Sequence, residues 1–186
     1  MNAVKTLLPL AIGLSVLLAG CGASSPAPVA IVAIDASGSA REFFPAFERA
    51  ARDVNESIPP GGTLEIYRFD RTVNEIHVGQ PLDASQFKRT LKTALAPERH
   101  EQGTSLLALA QKLDGRMKAA GAHPVDLTIL TDCGVETMTK ADHAKVRELV
   151  GGWPGVRKIE FVGLRPLHHE AIRADFAPLE SKLTIR

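Results

Sequence analysis

Five oxygen-bearing side chains lie in three distant stretches of the 186-residue chain. Asp35, Ser37 and Ser39 fall in IVAIDASGSA (31–40), Thr104 in QGTSL (102–106), and Asp132 after VDLTILT (125–131). Two carboxylates and three hydroxyls make an oxygen-only donor set. Such a set suits a hard divalent cation, Mg²⁺ or Mn²⁺ in six-coordinate geometry, with waters filling what the side chains leave open. A simpler reading competes for part of it. Ser39-Ala-Arg-Glu42 is also a capping box, S-x-x-E, which explains Ser39 without an ion but leaves Asp35, Ser37 and Thr104 unexplained. Ser105 is an alternative to Thr104 if the following helix starts one residue later.

The elements that must position these residues alternate between apolar runs and amphipathic stretches, the pattern of a sheet with helices on its faces. Residues 29–35 read as a buried strand. Residues 40–56 read as a helix with Phe43, Phe44, Phe47, Ala51 and Val54 on one stripe, ended by Pro59-Pro60-Gly61-Gly62. Two β-rich runs, 63–69 and 72–78, are separated by a link too short for a helical crossover, which predicts an antiparallel hairpin at one sheet edge. Helices are expected over 84–95, 104–120, 139–150 and 167–177, and strands over 125–131 and 156–163. Residues 97–103 read as a polar loop, and the tail 182–186 has β character without an assigned place. In open α/β sheets ligands bind beyond the carboxyl ends of the strands. Asp35 and Asp132 each close a strand and Thr104 opens a helix, so all three segments can reach one crevice.

The order strand-DxSxS-helix, then Gly-Thr, then an apolar strand ending in Thr-Asp resembles the von Willebrand factor type A domain and its metal-ion-dependent adhesion site. The likeness runs from Val29 to about Pro178. It implies a doubly wound α/β fold: a six-stranded, mostly parallel sheet with helices on both faces and one antiparallel edge strand. It also implies that Asp35, Ser37, Ser39, Thr104 and Asp132 hold one metal ion, and that the open coordination position takes an acidic side chain from a protein partner. The chain departs from the family pattern at one point, because Cys133 stands between Asp132 and Gly134 where the family runs Asp-Gly.

The amino end speaks to location. Lys5 precedes a 14-residue apolar run, Thr6 to Ala19, that stops at small residues, as in a secretory signal peptide. Leu18-Ala19-Gly20-Cys21 resembles the lipobox of bacterial lipoproteins, which implies lipidation at Cys21 and a stable membrane anchor. Gly22 in place of an aspartate implies, for a Gram-negative source, the outer membrane facing the periplasm. The expected organisation is a signal peptide over 1–20, a lipidated Cys and flexible tether over 21–28, and one domain over 29–186. Loss of the signal takes Lys5 from the 22 basic residues and leaves 21 against 21 acidic ones, a balance that gives no footprint for nucleic acid. With Cys21 lipidated, Cys133 is the remaining thiol, expected buried and inert.

A serine hydrolase using Ser37 is the enzymatic rival. The sequence contains neither a DxxH nor a GxSxG elbow, and His168 and His169 read as surface residues of a first helical turn. GxxxxGK[ST] is also absent. Trp153, in GGWPG, reads as a loop anchor folded back on the sheet edge. The expectation is therefore a non-enzymatic, lipid-anchored envelope protein that binds a partner through Mg²⁺ or Mn²⁺. A metal-free scaffold of the same fold is the alternative.

Overall fold

The computed structural model describes residues 26–96, 103–121, 123–133 and 138–186. The signal peptide, Cys21, most of the 97–103 loop and Gly134 lie outside the described residues.

The strands are β1 (Val29–Asp35), β2 (Thr63–Phe69), β3 (Val73–Gly79), β4 (Val125–Leu130), β5 (Val156–Val162) and β6 (Leu183–Ile185). They form one sheet in the order β3-β2-β1-β4-β5-β6. Every pairing is parallel except β2 with β3, which makes β3 the antiparallel edge strand predicted from the short link. The helices are α1 (Phe44–Ser57), α2 (Ala84–Ala94), α3 (Leu106–Ala120), α4 (Lys140–Gly151) and α5 (His169–Asp175). No helix among the described residues is long and apolar enough to cross a membrane.

β1 is flanked by parallel partners on both sides, and all seven of its residues are buried. Burial on both faces is why its sequence is a continuous apolar run without alternation. Ile31 and Ala33 pack with Leu109, Leu113, Val146 and Ile172 of α3, α4 and α5. Val32 and Ile34 face the opposite way, with Phe47 and Ala51 of α1 and Phe87 and Leu91 of α2. Two apolar layers thus clamp the sheet, each large buried side chain contributing about 1.5–3 kcal/mol. Trp153 is buried edge-on to Phe176, with ring centroids 6.4 Å apart, and does anchor its loop.

The structure corrects four expectations and places the tail. The helix predicted from residue 40 opens as a 3-10 turn, Ser39–Phe43, and becomes α-helical only at Phe44; neither start carries a side-chain cap. Gly38, the residue ahead of the turn, is already helical (φ −62°, ψ −36°), so Ser39 lies inside the turn and not at its cap. The capping-box reading of Ser39 fails. The helix expected over 167–177 is divided into a 3-10 turn Pro166–His168, the short α5 and a further 3-10 stretch Ala177–Lys182. The tight Pro166 turn directs His168 inward, and it is 3 % exposed, not a surface residue. The unplaced tail becomes β6, which adds in parallel to β5.

Candidate metal centre

β1 and β4 are neighbours whose carboxyl ends lie at the same edge, with Asp35 at one end and Thr131-Asp132 just beyond the other. β2 ends beside them, and the backbone N–H of Ala36 donates to the Phe69 carbonyl at 2.9 Å. The β2–β3 link then reaches α3: the Ser105 N–H donates to the Asp70 carbonyl at 2.7 Å. The Ser105 hydroxyl caps α3 by accepting from the Ala108 N–H. The helix therefore starts where Ser105 is occupied as its cap, and Thr104 is the residue delivered to the crevice.

All five predicted residues meet. Asp35 is fully buried. One of its oxygens accepts the Ser37 N–H at 2.9 Å, the other accepts the Thr131 hydroxyl at 2.6 Å, and the Thr104 hydroxyl is 3.0 Å from the latter. Burial pushes its carboxyl above the ordinary value, and the hydrogen bonds from Thr131, Ser37 and Thr104 oppose that rise. The Ser39 hydroxyl donates to Asp132 Oδ1 at 3.2 Å. Having spent its proton there, Ser39 accepts from Ser37, whose Oγ is 3.2 Å away. Asp35, Ser37, Ser39 and Asp132 are thus one connected chain, with Thr104 joined at Asp35.

The donor chemistry suits a hard divalent ion, and these separations are compatible with one. Adjacent oxygens of a six-coordinate shell with metal–oxygen distances of about 2.1 Å lie about 3 Å apart. The Ser37–Ser39, Ser39–Asp132 and Thr104–Asp35 contacts, at 3.0–3.2 Å, have that spacing. The residues present fit Mg²⁺ or Mn²⁺. Among the described residues no three His, Cys, Asp or Glu side chains converge, so hydroxyls make up the majority of this donor set.

Cys133 does not push Asp132 out of reach. It adopts the left-handed conformation (φ 60°), the only non-glycine described residue with positive φ, and its side chain is buried among core residues. Its N–H donates to the Thr131 hydroxyl at 2.9 Å. The buried placement is the one expected from sequence.

Two contributors escaped the sequence reading. Thr131 holds Asp35, and the Thr-Asp dipeptide was its only signal. Arg165, from the segment after β5, sets its Nη2 3.2 Å from Asp132 Oδ2 and 2.9 Å from Glu42 Oε1, with the guanidinium 5.9 Å above the Phe43 ring. Beside Thr104 an open cleft of about 350 Å³ is lined by Arg71, Ser105, Leu107, Met138 and Asp142. Of the histidines, His143 bonds to Asp175 and His169 to the Leu164 carbonyl.

The architecture is the von Willebrand factor type A fold. A von Willebrand factor type A protein from Catenulispora acidiphila matches with a TM-score of 0.67 at 17% identity, over 86% of this chain and 38% of its own. An aerotolerance-related membrane protein from Bacteroides fragilis matches with a TM-score of 0.61 at 11% identity, over 86% of this chain and 90% of its own. The PilB minor pilin from Streptococcus sanguinis matches at 0.58 and 8% identity, over 88% and 57%. No protein-family model and no curated protein matches the sequence.

Proposed function

We propose that this protein is a lipid-anchored component of the bacterial envelope that binds a protein partner through one Mg²⁺ or Mn²⁺ ion and is not an enzyme. The observation that carries the reading is the continuity of the oxygen cluster, in which residues from three distant segments meet at hydrogen-bond distance. A bound ion supplies an electrophilic position for an external carboxylate. The chain's own residues do the rest. Asp35 is immobilised by three donors, and beside the two carboxylates Ser37, Ser39 and Thr104 contribute uncharged oxygens, so a divalent ion offsets the charge of the shell. The filled shell therefore carries little net negative charge to repel an acidic ligand. The adjacent cleft, with Arg71 and the apolar Leu107 and Met138, offers a surface for the segment bearing that ligand.

Anchoring at Cys21 and placement in the outer membrane belong to the same proposal and rest on Leu18-Ala19-Gly20-Cys21 and Gly22. The similar folds of a membrane protein and a minor pilin accord with an envelope setting.

The test is calorimetric titration of the full chain in detergent with Mg²⁺ and Mn²⁺, paired with melting curves. Heat and an upward melting shift are expected, and both are lost in Asp35→Ala. Silence in both measurements, with Asp35→Ala behaving as wild type, overturns the metal. If the ion binds, a pull-down from membranes should lose the partner in EDTA.

A metal-free scaffold is the second reading, and the Arg165–Asp132 ion pair favours it, because a cation already sits on one carboxylate. It predicts partner binding that survives EDTA.

A further inference from the structure

The geometry points to Arg165 as a built-in competitor of the metal ion, setting how much divalent cation the site needs before it fills. The inference rests on the metal-binding reading above and concerns its regulation.

Both oxygens of Asp132 are engaged within the protein. Oδ1 accepts from Ser39, a residue of the oxygen cluster, whereas Oδ2 meets the Arg165 guanidinium. Asp132 is nearly buried, so this carboxylate is a poorly solvated anion that needs a positive neighbour. Arg165 is that neighbour in this structure. A divalent ion drawn to the same carboxylate meets a fixed positive charge within a few ångströms, and the two cations repel. Filling the site therefore requires Arg165 to leave Asp132.

The structure provides a place for it to go. The same Nη2 contacts Glu42 at 2.9 Å, and the guanidinium lies over the Phe43 ring. Neither Glu42 nor Phe43 belongs to the oxygen cluster. A small swing frees Asp132 while Arg165 keeps an anion and an aromatic face.

The segment carrying Arg165 is itself held. Gly163 has φ +88°, and a Cβ there would stand 2.7 Å from Phe47 Cε1 and 3.3 Å from Phe43 Cδ1. Its N–H donates to the Arg186 carbonyl. Leu164 is buried in the core. Pro166 opens the next turn, so the backbone on both sides of Arg165 is fixed and only its side chain can move.

The test measures Mn²⁺ affinity by electron paramagnetic resonance of the free ion in the full chain and in Arg165→Gln. Arg165→Gln is expected to bind Mn²⁺ about two- to fivefold more tightly, the worth of one partly exposed ion pair. It should also melt lower than wild type in EDTA. Measurable binding by wild type that tightens in Arg165→Gln supports the inference. Equal or weaker binding by Arg165→Gln overturns the inference and leaves the metal site standing. No binding by either protein overturns both. Glu42→Gln supplies a second arm: by removing the resting place it should weaken Mn²⁺ binding in wild type, with a smaller effect in the Arg165→Gln background. An equal effect in both backgrounds means Glu42 acts only as a nearby charge, and it overturns the swing.

Discussion

Ser39 and Asp132, 93 residues apart in sequence, share a hydrogen bond of 3.2 Å that ties the turn after β1 to the end of β4. Ser39 is exposed and caps no helix; its hydroxyl donates to Asp132 and accepts from Ser37. Ser39→Ala should then destabilise the protein by about 1 kcal/mol in urea unfolding, because it strips a donor from a buried carboxylate. The same variant should weaken Mn²⁺ binding about tenfold or more.

Asp35 gives a pH dependence with a definite sign. Its native carboxyl is raised above 3.8 by burial, against the pull of its hydrogen bonds. The folded state then binds this proton more tightly than the unfolded chain. In metal-free protein its contribution is fully present below 3.8 and is lost as pH rises through the raised native value. Asp35→Asn removes the titration, so the stability of wild type relative to Asp35→Asn should fall across that window in EDTA. Saturating Mg²⁺ should reverse the trend, because the ion binds the deprotonated form. Urea midpoints of both proteins at a series of pH values decide it. A difference that grows with pH in EDTA contradicts the assignment.

At Cys133 the backbone is left-handed while the side chain is buried. Cys133→Gly relieves the backbone but vacates packed space, and the two effects should leave stability within about 1 kcal/mol of wild type. Cys133→Val places a β-branched side chain at positive φ and should cost about 2 kcal/mol or more. Thermal melting separates the two.

Gly163→Ala should be more damaging than a surface glycine change, by about 2 kcal/mol or more, because the new methyl group meets two phenylalanine rings at a positive φ. Displacing Phe43 also removes the face on which Arg165 rests. Urea unfolding of the variant measures the first effect, and its Mn²⁺ affinity reports the second.

The strands were legible because burial on both faces leaves an unbroken apolar run, as in VAIVAID, and because a three-residue link forbids a helix between β2 and β3. The carboxylates were legible because strand ends mark the edge where ligands bind. Choosing between Thr104 and Ser105 needed the helix start, which is settled by a hydrogen bond to Asp70 that no local pattern announces. Ser39 was misread as a cap because S-x-x-E is a local signal, and a contact with distant Asp132 overrode it. Likewise Glu42 turns to Arg165 instead of its own helix start. Arg165 itself had no sequence signal, since its position depends on how Gly163 fits against the rings of α1 and the turn before it. His168 was misplaced because a 3-10 turn has a tighter period than the helix assumed for it.

β1 has a further consequence for presentation. The chain enters at the amino edge of the sheet, where the Ala27 carbonyl faces His123 and the Pro28 carbonyl accepts from the Thr63 N–H. Asp35 is at the other end of the strand, and seven residues at about 3.3 Å each separate the two edges by about 20 Å. The strand direction alone sets the site at the edge opposite the one where residue 26 enters, so the anchoring proposed above, through the preceding residues, would leave the Asp35 edge clear for a partner.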